Sequence, residues 1–309
     1  MLPALITTLL FALTAVCATQ SSITYGPERA NLGRLAIAVV LLGGWAHLLG
    51  SGLGGGRLAI LMLAGTIGFG GGGWCMFQAF PRLGSTLSLL AVECAAAVVA
   101  LVLGVILFGA HISLIQMVFI ACTLGGVVLA LGPFRVPKVR QEVLLTGIGF
   151  TILAAIGQGI SWTLTKSAFI YFQERAIEVD SLTAAYQRLL GGFCFAILIV
   201  LISLARKGSG YIQSMTSDYI RSKGQSCFHP SLWVLGNALA GPVLGVSCML
   251  WAIRQVDNPG VVQTIVATAT LFTVPLARRL ENRVFHWNYF TGFGIALIGV
   301  AGLVATISH

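Results

Sequence analysis

Charged residues are scarce in this chain of 309 residues, and acidic residues are the scarcest. Only 9% of the residues are charged, against about 25% in a typical soluble domain. Hydrophobic residues make up 57% of the chain, which excludes a soluble globular protein. The net charge of +9 does not indicate a nucleic-acid partner. The basic residues lie in short connectors between long apolar runs, where they orient a membrane protein and meet anionic lipid.

The sequence also lacks the motifs of soluble enzymes and metalloproteins. No glycine-rich loop is followed by Lys and Ser or Thr, so no ATP site is predicted. No Ser/His/Asp or His/Glu arrangement is present, and we predict no catalytic residue. Six of the seven cysteines lie inside apolar runs without metal-ligand spacing. We therefore predict neither a metal site nor a cofactor.

Ten apolar runs occupy most of the chain. A helix of about 20 apolar residues covers the roughly 30 Å of bilayer hydrocarbon. The first run is long and has no basic segment before it, so we interpret it as a retained span and not as a signal peptide. The expected fold class is an all-α membrane protein with ten transmembrane helices. The predicted spans are 2–20, 34–50, 58–79, 84–108, 112–132, 143–166, 183–204, 231–253, 258–280 and 286–307.

The two halves of the chain resemble each other. Cys75 recurs as Cys248 and Gly126 recurs as Gly299, each within a short matching segment and at one constant offset. Because each half has five spans, a second copy enters the membrane from the opposite side. This predicts two inverted five-helix repeats, with a site near the midplane between them. We assign residues 1–133 to the first repeat, 134–142 to a basic connector and 143–309 to the second repeat.

Basic residues in the connectors predict the membrane orientation. Thirteen Lys and Arg residues follow odd-numbered spans, and four follow even-numbered spans. Basic connectors stay on the cytoplasmic side. The count therefore predicts that both termini lie outside.

Several further features are typical of one group of transporters. Arg34 opens the second span, and the glycine-rich third span runs into a Pro-Arg-Leu-Gly turn at 81–84. The fifth and tenth spans contain Gly125 and Gly299. With these features the chain resembles the EamA-like family of the drug/metabolite transporter superfamily over nearly its whole length. The resemblance implies transport of small metabolites, such as amino acids, across the cytoplasmic membrane, with cytoplasmic termini, in conflict with the charge count.

The chain departs from the pattern of that family in its first half. Members often end the fourth and ninth spans with a small or apolar residue and a Glu. The second half has Leu280 and Glu281 at this place, whereas the first half has Gly109 and Ala110. Many members also carry an acidic residue in the third span, where this chain has glycines and Trp74.

Glu93 is the acidic residue within the long apolar run 84–108. A carboxyl group at such a depth costs about 2.5 kcal/mol or more, so it is usually kept for a function and faces protein or water. Low dielectric favours its protonated form, and we predict Glu93 as the proton-coupling residue. The alternative is a permanently protonated structural Glu. The residues on its helical face are small, which favours close helix packing: Ala96, Ala97, Ala100 and Gly104.

Polar residues on four other spans are candidates for lining a substrate cavity. The sixth span carries several on one face, which would be wasted against lipid. Hydrogen bonding between helices is the alternative interpretation. The candidates are Trp74, Gln78, Gln158, Ser161, Trp162, Thr165, Asn237, Gln263, Thr264 and Thr268. Proline residues at 242 and 275 predict kinks in the eighth and ninth spans.

Arg34 and Arg188 lie near the starts of their spans. We interpret both as reaching the membrane interface with their guanidinium groups. The alternative is that they are charge partners of Glu93 or of an anionic substrate.

The sequence therefore predicts a secondary active transporter that works by alternating access and takes a small-molecule substrate. An uncoupled facilitator or exchanger of the same fold is a second hypothesis. A membrane-embedded enzyme or a non-transporting sensor is a third. The bilayer is the expected environment, and the sequence carries no indication of the oligomeric state.

Overall fold

Ten membrane-length helices make up the protein in a computed structural model, which describes residues 1–132, 140–205, 230–281 and 287–307. All ten are long and apolar enough to cross a membrane, which confirms the all-α membrane fold. The helices are α1 (Leu2–Tyr25), α2 (Pro27–Leu48), α3 (Leu58–Leu83), α4 (Ser85–Phe108), α5 (Leu114–Leu131), α6 (Gln141–Glu174), α7 (Ser181–Ala205), α8 (230–254), α9 (259–281) and α10 (Trp287–Ile307).

Local sequence signals set several helix starts. Pro27 occupies the first turn of α2, where its missing N–H costs nothing. Ser113 and Gln116 form a capping box at the start of α5. Asn258 caps α9, and Pro259 follows it as the first helical residue. These signals coincide with the observed starts of α2, α5 and α9.

α3 and α8 each contain a π-helical segment in the middle of the helix. The segments are Thr66–Gly72 in α3 and Leu239–Gly245 in α8. Each end of the second segment follows the corresponding end of the first by 173 residues, which is also the offset between Cys75 and Cys248. π-Segments are rare and frequently lie at functional sites. Their shared offset supports the internal repeat, and Pro242 lies within the second one.

The helices of the two halves pack against each other in matching pairs. α6 of the second half packs on α3 and α4, and α1 of the first half packs on α8 and α9. α2 packs on α7, and α5 packs on α10. Each contact thus has a counterpart in the other half, as a two-fold relation between repeats requires. The inverted membrane orientation of the halves stays a prediction.

Several boundaries differ from those predicted. α1 continues to Tyr25 instead of ending at residue 20, and α2 begins at Pro27 instead of residue 34. α6 continues to Glu174 instead of ending near Lys166, because no Gly or Pro interrupts residues 167–174. The ninth span also breaks at Thr268, between the segments Pro259–Ala267 and Ala269–Glu281, and Pro275 lies within the second of them.

Some predictions fall on parts of the chain outside the described residues. They concern most of the basic connector 134–142 and the basic connector between α7 and α8. The side chain of Glu281 is also outside the described set.

Candidate functional site

Glu93 lies in α4 at the contact between the two halves, and its side chain is 1% exposed. Gln158 of α6 donates a hydrogen bond from Nε2 to Glu93 Oε1 at 3.1 Å. Gln263 of α9 donates from Nε2 to Glu93 Oε2 at 2.5 Å. Both amides belong to the second half, so one first-half carboxyl group joins two second-half helices.

α9 is held close enough to α4 for this contact by its own N-terminal cap. Asn258 Oδ1 accepts a hydrogen bond from Gly260 N at 2.9 Å, and Nδ2 donates to Leu101 O of α4 at 3.1 Å. A Cβ on Gly260 would lie 2.3 Å from Leu101 N, so only glycine allows this approach. The cap and the glycine together position Gln263 beside Glu93.

Arg188 of α7 is also buried, with 1% of its surface exposed, so the interpretation that it reaches the membrane interface is wrong. Its Nη2 donates to Ser161 Oγ at 2.7 Å, and Ser161 Oγ donates to Ala64 O at 2.6 Å. The guanidinium carbon lies 4.3 Å from the ring centre of Trp162 and 5.2 Å from that of Phe69. α7 packs on α3 and α2, and this packing turns Arg188 inward.

Arg34 of α2 is likewise buried, at 7% exposure, and does not reach the interface as predicted. Its Nε donates to Asn31 Oδ1 at 3.0 Å, and its guanidinium carbon lies 4.5 Å from the ring centre of Phe77. The partners are one turn away on the same helix and on α3. Within the described ranges, neither Arg34 nor Arg188 has a carboxylate at ion-pair distance.

α6 connects the buried acid to the buried cation at Arg188. Gln158 contacts Glu93, and Ser161, three residues later, accepts from Arg188. Residues three apart on a helix lie on one face. The face of α6 predicted from its polar residues therefore carries both contacts.

Several buried polar atoms of α3, α6, α7, α8 and α9 have no hydrogen-bond partner among the described residues. In membrane interiors such atoms cost free energy unless water or a ligand satisfies them. The atoms are Nε and Nη1 of Arg188, Nε1 of Trp74 and Trp162, Oε1 of Gln263, and Nδ2 and Oδ1 of Asn237.

Other candidates are placed differently from the central contacts. Trp74 packs edge-on against Phe150 of α6. Gln78 accepts from Arg82 on its own helix through Oε1 at 2.9 Å and does not contact Glu93. Three threonine hydroxyl groups donate to carbonyl groups of their own helices, so each can only accept a hydrogen bond from a further partner. These are Thr165, Thr264 and Thr268.

Three contributors were missed from the sequence. Asn258 carries a helix-start signal, because an Asn directly before a Pro at the first helical position is a typical cap. Phe69 faces Arg188 from the π-segment of α3, and no sequence pattern distinguishes it from other apolar residues. Thr14 of α1 has a buried hydroxyl without a partner in the described part of the chain. A Cβ on Gly241 would lie within 3.5 Å of both Thr14 and Asn237 side chains.

An open groove of about 860 Å³ lies at the ends of α5 and α10. It is lined by residues such as His111, Gln116, Phe119 and Thr306. None of the predicted site residues lines it, so it is separate from the contacts of Glu93 and Arg188.

Comparison with known proteins gives a match to a family model over the first half of the chain and a likeness of fold. The model of the EamA-like transporter family matches residues 1–132. A crystal structure of a protein aligns with 99% of this chain and 96% of its own, at a TM-score of 0.66 and 13% sequence identity. This likeness shows the fold alone. No curated protein matches the sequence.

Proposed function

We propose that the protein is a secondary active transporter in the cytoplasmic membrane, because residues 1–132 match the model of the EamA-like transporter family, part of the drug/metabolite transporter superfamily. It moves a small organic solute by alternating access. The family consists of membrane transporters of small solutes, and the ten apolar helices make this chain a multi-pass integral membrane protein.

The contact of Glu93 with Gln158 and Gln263 is the observation that carries this proposal. A rocking motion between two halves must break and remake contacts at their junction, and this junction includes a buried carboxyl group. Ionisable residues inside membranes commonly mark ion and substrate pathways. In the proposed mechanism Glu93 takes up a proton when the site faces one side of the membrane and releases it on the other.

Glu93→Gln tests the coupling. Purified protein in liposomes is given a panel of labelled small metabolites with and without an imposed pH gradient. A solute whose uptake the gradient drives identifies the wild-type activity. The amide cannot release a proton, so gradient-driven accumulation falls to the level without a gradient, while exchange of the solute persists. Undiminished gradient dependence in Glu93→Gln would show that the coupling role is wrong.

An uncoupled facilitator or exchanger is the second candidate function. Both oxygens of Glu93 already accept a hydrogen bond, which a purely structural carboxyl group also explains. Transport by the wild type that ignores the pH gradient favours this candidate. An embedded enzyme or a sensor would bind a solute without moving it across the liposome membrane.

A further inference from the structure

We propose that Arg188 binds the carboxylate group of the transported solute, so that the substrate class is small organic carboxylates. This inference rests on the proposed transport function. Its starting point is the burial of Arg188, which at 1% exposure has no access to the headgroup region in this conformation.

The charge of Arg188 is uncompensated in the described part of the chain. No carboxylate lies within ion-pair distance, and the one hydrogen bond goes to the neutral hydroxyl of Ser161. The ring faces of Trp162 and Phe69 attract the guanidinium, but such contacts offset only part of the cost of removing a cation from water. A bound anion would supply the missing charge.

The unpartnered atoms at this place are all donors. Nε and Nη1 of Arg188 have no acceptor among the described residues, and neither does Nε1 of Trp162, whose ring lies under the guanidinium. A group that only accepts hydrogen bonds fits such a set. The planar guanidinium matches a carboxylate with two parallel hydrogen bonds.

The π-segment of α3 lies directly beside this group. A Cβ on Gly68 would lie 2.3 Å from Ser161 Oγ and 3.7 Å from Arg188 Nη2. Glycine therefore lets the backbone of α3 come directly against the Arg188–Ser161 contact. Small shifts of this segment would open space for a carboxylate next to the free nitrogens.

Arg34 offers a matched comparison, because it is a second buried arginine near the start of a helix in the other half. Its Nε already has Asn31 Oδ1 as a partner, and none of its nitrogens is among the buried atoms without a partner in the described ranges. We therefore assign Arg34 to structural packing and Arg188 to ligand binding.

Thermal unfolding of the purified full-length protein in detergent tests the proposal without transport. The probes are acetate, benzoate and indole-3-acetate, each with its neutral carboxamide, and inorganic phosphate. We expect at least one carboxylate to raise the Tm with a saturable concentration dependence, and its carboxamide to have no effect. Arg188→Lys keeps the positive charge but loses the planar guanidinium that can donate two parallel hydrogen bonds. This variant weakens the apparent affinity for the carboxylate about tenfold or more.

Arg188→Met and Arg34→Met give the decisive contrast. Arg188→Met abolishes the carboxylate response and leaves the ligand-free Tm unchanged or higher, because two buried donor nitrogens without a partner among the described residues are removed with the charge. Arg34→Met lowers the ligand-free Tm and keeps the response. The proposal is overturned if carboxamides stabilise as well as carboxylates, if phosphate alone stabilises, or if Arg188→Met retains the response.

The two proposals fail in distinguishable ways. Carboxylates that bind through Arg188 but are not moved across liposomes would contradict the transport function and leave this inference intact. Transport of neutral solutes that Arg188→Met leaves undiminished would contradict this inference and leave the transport function intact.

Discussion

At the scale of single residues, the interior of this protein contains an acid and two arginines that do not pair with one another. Glu93 is satisfied by two amides, and Arg34 by an Asn one turn away. Direct ion pairing would have locked these groups together in one conformation. Neutral partners hold the charged side chains more weakly than ion pairs would. Weaker contacts suit the rearrangement and ligand exchange of the proposed transport cycle.

Asp180 gives a residue-scale prediction in the connector before α7. It accepts hydrogen bonds from Leu182 N at 3.0 Å, Thr183 N at 2.9 Å and Trp45 Nε1 at 3.2 Å, as well as from the Thr183 hydroxyl. Partial burial raises the pKa of Asp180, but these hydrogen bonds outweigh it and hold the pKa below its ordinary value of 3.8.

A carboxylate with a lowered pKa stabilises the folded state above its unfolded pKa, and the contribution disappears as the pH falls through the folded pKa. Asp180→Ala should therefore lose about 1 kcal/mol at pH 7, the usual value of a helix cap. The difference from wild type should shrink below about pH 4. The measurement is Tm against pH in detergent. Asp180→Asn, which still caps but does not titrate, is the control, and a difference independent of pH would contradict the prediction.

At the scale of helices, the contact between α4 and α9 decides whether Glu93 meets Gln263. The contact depends on the cap at Asn258 and on the absence of a side chain at Gly260. A β-carbon there would lie 2.3 Å from Leu101 N and 2.6 Å from Leu101 Cα, both backbone atoms that cannot move aside. The two helices would have to separate.

Gly260→Ala should therefore destabilise the protein by about 1–3 kcal/mol, the usual cost of overpacking. The measurement is the Tm of the purified variant. Gly149→Ala in α6 is the matched control, because its added carbon would have nothing within 4 Å. The control should keep or slightly raise the Tm, since Ala is a better helix former. Equal Tm values for both variants would show that the α4–α9 contact is looser than described.

At the scale of the whole molecule, helices of each half pack against helices of the other half. α1 lies against α8 and α9, while α6 lies against α3 and α4. Neither half is therefore enclosed by its own helices alone. Relative motion of the halves must change these contacts together, which is the behaviour that alternating access requires.

The membrane orientation is a prediction at the same scale. Arg34 is buried in α2 and Lys166 lies within α6, so neither is counted as a connector residue. This removes one basic residue from each side of the membrane and leaves the excess of Lys and Arg in the connectors after odd-numbered spans. The positive-inside rule then places both termini outside. A reporter fused after His309 tests this in cells: alkaline phosphatase should be active and green fluorescent protein dark. The reverse pattern would support the cytoplasmic termini implied by the family resemblance.

Hydropathy and the constant offset between halves were readable along the chain. They determined the ten spans and the likeness of the halves, because crossing lipid requires long apolar helices with internally satisfied backbones. The same reasoning placed Glu93 on a face of small residues, and those residues are buried with it.

Only the tertiary structure decided which polar side chains meet. The partner of a side chain depends on the rotation and crossing of helices distant in sequence, which span patterns do not contain. Thus Arg188 turned inward although its place near a helix start favoured the interface, and Gln78 turned to Arg82 on its own helix. Gln263 reached Glu93, 170 residues earlier in the sequence, because Gly260 in the first turn of α9 allowed the backbones of α9 and α4 to approach closely.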